Sequence, residues 1–281
     1  MQAIFRLLSH CPLWLLHAVG WGLGWAAYLG SATYRERYLS HAGQAGVGRR
    51  ERWRAVGEAG KMVAELPRLW FGKPVAVEWT GAAHIESALQ SGQGLLLLTP
   101  HLGCFEVAAQ AFAARFGAEH PITVLFRPPR KAWLRAVVEG ARTRPGMCAV
   151  PTDLSGVRRL VQALRRGGCV GLLPDQVPPA GMGIIAPVFG RDAYVSPLAA
   201  RLALHTGAHV LLVWGERLGW GRGYRVHACP LLHSLPAALE DAVREINVAM
   251  EHLILQCPGQ YLWGYARYKM PEDVSHPDAK P

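Results

Sequence analysis

A histidine and a carboxylate stand five residues apart in the first half of the chain, directly after an apolar run. They are His101 and Glu106, in the segment 99–106, TPHLGCFE. A carboxylate on one imidazole nitrogen fixes the tautomer and stabilises the cation that forms when the other nitrogen takes a proton. The pair therefore predicts a general base that activates a substrate hydroxyl, with no need for a serine or cysteine nucleophile.

Helical geometry limits how these two side chains can meet. Five residues on a regular helix span about 500°, so two helical residues at this spacing do not share a face. Pro100 and Gly103 allow His101 to stay in a loop while Glu106 projects from an early turn of the next helix. The alternative is a structural histidine at a strand end, with Glu106 in a favourable interaction with the helix start. The spacing alone leaves both interpretations open.

Two further groups of polar residues are candidates for binding. Asp175, in the segment 172–176, LLPDQ, again follows an apolar run and could orient an arginine or a substrate hydroxyl, or simply occupy a turn. A basic stretch could clamp phosphate groups or form a solvated face. It contains Arg127, Arg130, Lys131, Arg135, Arg142 and Arg144.

Short apolar runs alternate with helical patterns along the chain and predict the elements that position these residues. Strands are expected at 75–79, 94–99, 122–126, 170–173 and 210–214. Helices are expected at 49–70, 84–90, 104–116, 131–143, 155–166 and 196–206. The alternation predicts an α/β fold, with a mostly parallel or mixed sheet flanked by helices and polar residues at the strand ends.

The segment 13–32 is apolar, free of formal charge and close to the length of about 20 residues that crosses a bilayer. Three alternatives are open for this segment: a spanning helix, a helix lying in the interface, which its tryptophans would suit, or a cleaved signal peptide. Several arginines follow it, which favours a cytoplasmic location for the rest of the chain. They are Arg35, Arg37, Arg49, Arg50, Arg52 and Arg54. We expect an anchor helix over 1–34, one catalytic domain over 35–273 and a loose tail over 274–281.

Composition narrows the function classes. In 281 residues, 51% are hydrophobic and the formal net charge is +10, which excludes dominant disorder and favours phosphorylated or otherwise anionic partners. The six cysteines include no C-x-x-C pair, so neither a structural metal nor a disulfide framework is expected. We expect no cofactor. The chain also lacks a recognisable nucleic-acid-binding motif.

Five sequence blocks, in order, give the chain a resemblance to the lipid A late acyltransferases, which transfer lauroyl or myristoyl chains and are similar to glycerolipid acyltransferases. The first block is His101 to Glu106, which matches a His-x4-Glu motif. The others are 126–128, FRP, 142–146, RTRPG, 174–176, PDQ, with 186–189, APVF, beyond it, and 257–263, CPGQYLW, with 267–269, RYK. Val188, Ser196 and the segment 40–92 depart from the family pattern.

The resemblance implies a fatty acyl transfer from acyl carrier protein thioester to a hydroxyl of a lipid A precursor, at the cytoplasmic face of the bacterial inner membrane. His101 and Glu106 would be catalytic, and Arg127, Arg142 and Asp175 would bind substrate or orient a group that does. Two alternatives remain at this point. One is an acyltransferase for another glycolipid or a lysophospholipid, and the other is a non-enzymatic peripheral protein that binds anionic lipid.

Overall fold

The computed structural model describes residues 2–126 and 144–271. Its helices are α1 Gln2–Ser9, α2 Leu13–Gly30, α3 Ala32–Gln44, α4 Arg49–Ala64, α5 Leu66–Phe71, α6 Ala82–Gln90, α7 Phe105–Phe116, α8 Leu154–Arg165, α9 Leu198–Thr206 and α10 Leu239–Gln256. Its strands are β1 Val77–Thr80, β2 Leu95–Leu98, β3 Ile122–Phe126, β4 Met147–Pro151, β5 Cys169–Leu172, β6 Ile184–Val188, β7 Arg191–Val195, β8 His209–Arg217 and β9 Tyr224–Pro230.

The central sheet is mixed and mostly parallel. Its strands follow the order β1-β9-β8-β2-β5-β3-β4. The β8–β9 pair is antiparallel, and the other neighbouring pairs are parallel. The carboxyl ends of β2, β5, β3, β4 and β8 therefore lie at one edge, where open α/β sheets commonly bind ligands. Strands β6 and β7 form a separate antiparallel hairpin.

Helices cover both faces of the sheet, and β2 shows why the sequence specifies this arrangement. Its four consecutive leucines are all buried. Because side chains alternate along a strand, Leu96 and Leu98 pack in a core that includes residues of α8, α9 and α10. Leu95 and Leu97 pack on the opposite face with residues of α6 and α7. A continuous apolar run is the expected pattern for a strand buried on both faces.

The N-terminal helices pack at the site edge of the sheet. Helix α2 meets the turn that follows β8, where a Cβ on Gly221 would lie 2.4 Å from the Trp14 nitrogen. It also packs closely on α4, since a Cβ on Gly60 would lie 1.9 Å from the Gly20 carbonyl oxygen. In the described part of the chain, no helix is both long enough and apolar enough to cross a membrane.

The predicted α/β class with a mostly parallel sheet is confirmed. The five expected strands are present within a few residues of their predicted bounds, and the helix expected over 49–70 is divided into α4 and α5. Sequence reasoning did not predict β4, β6, β7, β9 or α10. The helix expected at 131–143 and the tail at 274–281 lie outside the described residues.

Candidate active site

The loop after β2 holds His101 in a fixed position at the carboxyl edge of the sheet. Gly103 adopts a φ of +57°, a conformation that favours glycine, and a Cβ there would lie 2.0 Å from the Gly215 carbonyl oxygen. The Cys104 N–H donates to that same carbonyl at 2.7 Å. The Gly103 N–H donates to the Gln260 carbonyl at 3.0 Å. The loop is thus attached to β8 on one side and to the segment after α10 on the other.

Asp175 binds His101 through both of its carboxylate oxygens. Oδ1 lies 2.7 Å from His101 Nδ1, and Oδ2 accepts the His101 backbone N–H at 2.8 Å. Burial alone would raise the pKa of Asp175, but the His101 ring and its backbone N–H lower it below its usual range. An ionised carboxylate at Nδ1 assigns the ring proton to Nδ1 and leaves a lone pair on Nε2.

The Nε2 atom of His101 lies on the side of the ring away from Asp175, and the side chain is 14% exposed. The Gln176 side-chain amide lies 3.0 Å from Nε2, in the direction from which a hydroxyl would approach. Phe105 packs against the ring with centroids 4.9 Å apart. On the other side of the carboxylate, the Tyr261 hydroxyl lies 3.4 Å from Asp175 Oδ2. The imidazole is therefore held by Asp175 at Nδ1, and its Nε2 atom faces the Gln176 side chain.

Glu106 lies in a different environment from the one that its spacing suggested. We expected its carboxylate to orient the imidazole, whereas the structure places Asp175 at Nδ1. Glu106 is buried in the first turn of α7, where it accepts the Trp70 indole N–H at 3.4 Å. Helix α7 begins at Phe105, so the carboxylate turns toward α5, which ends one residue after Trp70.

The basic stretch is described at its last member only. Arg144 Nη1 donates to the Gln110 side-chain oxygen at 3.1 Å, and Nη2 donates to the Trp70 carbonyl at 3.1 Å and to the Leu69 carbonyl. Burial lowers the pKa of the Arg144 guanidinium, while the charge of Glu106 raises it. These contacts tie α5 to α7. Arg127 and Arg142, which we expected to bind phosphate, lie outside the described residues.

A buried ion-pair network lies next to the His101 loop. The Arg217 side chain is 1% exposed and donates to Glu65 through Nε and Nη2, both at 2.8 Å, and to Glu58 through Nη1 at 2.8 Å. His17 of α2 lies 3.1 Å from Glu65, and the Tyr224 hydroxyl donates to it at 2.8 Å. The network therefore connects α2 and α4 to strands β8 and β9.

This network also contacts the His101 loop directly. Arg217 Nη2 donates to the Gly103 carbonyl at 2.7 Å, and Gln260 exchanges two hydrogen bonds of 2.9 Å with the Arg217 backbone. Burial alone would raise the pKa of Glu65, but Arg217 and His17 lower it to about 2. Burial raises the pKa of the adjacent Cys104 thiol well above its ordinary value, which argues against a thiolate nucleophile.

An apolar cavity of about 40 Å³ lies between the sheet and α7, and it extends to Thr99 and Phe105 beside His101. The rest of its wall is apolar or glycine. Those residues are Trp79, Leu97, Ala108, Ala109, Phe112, Ile122, Val124, Gly171, Leu172, Leu173 and Val213. An apolar space beside His101 can receive the hydrocarbon part of a substrate.

Sequence reasoning identified His101 and Asp175 separately but did not pair them. The available signal was that both follow the ends of apolar strands, and β2 and β5 are neighbours in the sheet. Arg217 and Glu65 were missed because a buried ion pair leaves no local sequence pattern. Gln260 was noticed only within the block 257–263 that resembles a family motif.

Comparisons with known proteins show which family this chain is similar to. The family model described as bacterial lipid A biosynthesis acyltransferase matches residues 52–270. The chain is 25% identical over 224 residues to the lipid A biosynthesis palmitoleoyltransferase of Escherichia coli K12, an alignment that covers 78% of this chain and 70% of that protein. It is 26% identical over 226 residues to the lipid A biosynthesis lauroyltransferase of the same organism, covering 76% of this chain and 70% of the relative.

The matched region begins within α4, ends one residue before the last described residue, and contains His101, Asp175 and the network residues Glu58, Glu65, Arg217 and Tyr224 but not His17. The chain belongs to the bacterial lipid A biosynthesis acyltransferase family.

Proposed function

We propose that this protein transfers a fatty acyl chain from an acyl carrier protein thioester to a hydroxyl of a lipid A precursor, at the cytoplasmic face of the bacterial inner membrane. The observation that carries the proposal is the His101–Asp175 pair at the carboxyl edge of the sheet, with hydrogen bonds of 2.7 and 2.8 Å. Family membership supports the reaction class and the acceptor. The names of the relatives give lauroyl and palmitoleoyl transfer for those proteins.

In this mechanism His101 Nε2 is the general base. It takes the proton of the acceptor hydroxyl as the hydroxyl oxygen attacks the thioester carbonyl carbon, and Asp175 stabilises the resulting imidazolium. The tetrahedral intermediate then expels the carrier thiolate, which receives the proton from Nε2. An ester bond forms, the carbon–sulfur bond breaks, and the imidazole returns to its neutral state. Gln176 must move away from Nε2 or donate to the incoming substrate instead.

Glu106 contributes by positioning in this account. Its carboxylate faces the Trp70 indole, and its charge acts on Arg144. Those contacts hold α7, whose first residue packs on the His101 ring. Glu106 is thus a positioning residue, and Asp175 is the group that touches the base. Arg127 and Arg142 remain candidates for binding phosphate on the acceptor or donor.

The cavity beside His101 supports a hydrocarbon substrate. It reaches the catalytic loop at Phe105, so a thioester carbonyl near Nε2 would direct its chain between the sheet and α7. A volume of about 40 Å³ is too small for a fatty chain. We infer that Phe105 and Phe112 rotate to admit it, since these are the large side chains of α7 in the cavity wall.

The N-terminal helices supply a surface that fits a membrane interface. One face of α2 packs on the protein, and the other exposes large apolar side chains. Those exposed on α1, on α2 and in the turn after β8 are Ile4, Leu7, Leu8, Trp14, Leu15, Val19, Trp21, Leu23, Leu29 and Trp220, the last of them 93% exposed. Tryptophans and aliphatic residues on one face are typical of a helix that lies in the interface. We propose that α2 anchors the site where the acceptor resides.

A substitution on this face tests the anchor without removing α2. Deleting residues 1–34 would also remove His17, which contacts Glu65 in the buried network. We therefore expect the double variant Val19→Asp/Leu23→Asp to shift most of the protein from vesicles of anionic phospholipid to the soluble fraction, since inserted apolar area drives interfacial binding. The matched control is Val248→Asp/Leu255→Asp, at two exposed positions of α10. Equal release of both variants would contradict the proposed anchor.

Thioester consumption tests the proposed activity and separates it from lipid binding alone. Wild-type protein should release free carrier thiol from acyl carrier protein thioester only when a lipid A precursor is present. His101→Ala should lower the rate by about 10²- to 10⁴-fold, as expected for the loss of a positioned base. The circular dichroism spectrum should be unchanged. Thiol release that is the same in wild type and variant would contradict the base assignment, and no release from wild type would contradict the proposed activity.

A further inference from the structure

Helix α8 concentrates positive charge on one face. Four arginines stand in two pairs about two helical turns apart. They are Arg158, Arg159, Arg165 and Arg166, and all four are exposed. Between them lies Gln162, and together they line a shallow surface depression. The opposite face buries Leu160 and Leu164 in the core, so the arginine face is oriented away from the protein.

Among the residues that the structure describes, none of these guanidinium groups forms an ion pair with a carboxylate, although the charge of Arg159 helps to lower the pKa of Asp153. Arg165 Nη2 contacts an imidazole nitrogen, His205 Nε2, at 2.7 Å. The carboxylate at the start of the helix, Asp153, is used as the N-cap and accepts the Gly156 N–H at 2.9 Å. Arg165 and Arg166 gain stability from the helix C-terminus, but Arg158 and Arg159 lie too far from it to do so. The face thus presents a local excess of positive charge that no carboxylate pairs within residues 2–126 and 144–271.

The position of α8 relates this face to the catalytic edge. Strand β4 is parallel to β3, which is parallel to β5, which is parallel to β2. Its carboxyl end, Pro151, therefore lies at the same edge as His101, and α8 begins three residues later at Leu154. A macromolecule bound along α8 would therefore reach the carboxyl edge of the sheet at the N-terminal end of the helix.

The chemistry of the face distinguishes it from the proposed membrane surface. Membrane-binding helices place inserted aromatic and aliphatic residues beside their basic residues. On α8 the exposed large apolar side chain is Leu154, at the first position, whereas the exposed tryptophans of the described residues lie on α2, on α4 and in the turn after β8. A surface of four arginines and Gln162, with only the half-buried Val161 as an apolar member, matches a row of carboxylates on a protein partner more closely than it matches a bilayer.

We infer that the arginine face of α8 docks an acidic protein, the acyl carrier protein that bears the thioester; this inference rests on the proposed function. Charge complementarity steers such a partner and fixes its orientation, so that the attached chain enters at the catalytic edge. The acyl chain and the acceptor need no contact with α8. The face should therefore affect use of the protein-bound donor and leave use of a small thioester unchanged.

Kinetics with two donors test this surface. We would compare lauroyl-acyl carrier protein with lauroyl-pantetheine, using wild type, Arg158→Glu/Arg159→Glu and a control with the same charge change, Arg115→Glu/Arg244→Glu. The control residues are exposed and lie on α7 and α10. We expect the α8 variant to raise KM for the protein-bound donor by about tenfold or more, with kcat and the small-thioester kinetics unchanged. Added salt should raise KM for wild type more than for this variant.

Other outcomes overturn the inference. Equal effects of the α8 variant and the control would assign the attraction to net charge rather than to this face. Reduced binding to anionic phospholipid vesicles, with an unchanged KM for the carrier-bound donor, would identify a membrane surface instead. If wild type used neither donor, the proposed function would fail separately. Binding of lauroyl-acyl carrier protein by fluorescence anisotropy would then decide the docking surface, and equal affinities of wild type and the α8 variant would refute it.

Discussion

Replacing Asp175 with asparagine should disrupt the imidazole that the proposed reaction depends on. The carboxylate receives two hydrogen bonds from His101, of 2.7 and 2.8 Å, and asparagine retains the shape of the side chain while presenting an N–H₂ group on one side. One of the two contacts must then be lost or the ring must change its tautomer. A hydrogen bond to a charged group contributes about 1.5–3 kcal/mol, which corresponds to roughly a tenfold to hundredfold effect on rate.

We therefore expect Asp175→Asn to lower kcat by about a hundredfold, with a smaller effect of Glu106→Gln. Glutamine can still accept the Trp70 indole N–H that Glu106 receives at 3.4 Å. The assay is steady-state acyl transfer, with unfolding curves to show that both variants remain folded.

A spectroscopic measurement separates a direct contact with the base from a structural role. Proton NMR should show a hydrogen-bonded Nδ1 proton of His101 in wild type and in Glu106→Gln, and this resonance should disappear or move in Asp175→Asn. If the resonance and the rate survived in Asp175→Asn but were lost in Glu106→Gln, the assignment of Asp175 as the orienting carboxylate would be refuted.

Three further predictions follow from the buried network and the cavity. Arg217→Met should lower the free energy of unfolding in urea by about 3–5 kcal/mol, because it leaves buried carboxylates without their partner. The pKa of Glu65 is lowered from 4.5 to about 2, so its contribution to stability is fully present above pH 4.5 and disappears as the pH falls toward 2; Glu65→Gln should lack this part of the acid dependence. Ala109→Leu, which places a larger side chain at the cavity, should shift kcat/KM toward shorter acyl donors by about tenfold.

A control substitution accompanies the Arg217 variant and another accompanies the Ala109 variant. Arg225→Met removes an exposed pair with Glu78 and should lower the free energy of unfolding far less than Arg217→Met does, so an equal loss for the two variants would contradict the role of burial. Ala114→Leu adds the same side chain to α7 at an exposed position and should leave chain-length preference unchanged. A parallel shift in both leucine variants would show that the cavity does not select the chain.

The sequence was sufficient for the main architecture, because strands buried on both faces have a recognisable composition. The leucines of β2 and the apolar run of β8 are examples. Strand β9, Tyr224–Pro230, was not predicted, since its polar and charged residues alternate with buried ones and its antiparallel partner, β8, is needed to define it. Helix α10 has a similarly mixed sequence and depends on the core it covers.

His101 and Asp175 could each be predicted from the sequence as candidates, but the contact between them could not. Local spacing suggested Glu106 for the role at His101, because it is near in sequence. Asp175 lies 74 residues away and reaches the ring because β5 pairs with β2. Arg217 and Glu65 are 152 residues apart, and their contact exists only in the folded core. Such contacts require the order of strands in the sheet, which local sequence patterns do not encode.

The mass of the acceptor after incubation with donor tests the central claim most directly. A lipid A precursor and acyl carrier protein thioester would be incubated with wild type and with His101→Ala, and the lipid would be analysed by mass spectrometry. Wild type should increase the acceptor mass by the mass of one fatty acid less that of a water molecule, and the variant should yield little product in the same time. Unchanged acceptor with wild type, or equal acylation by the variant, would contradict it.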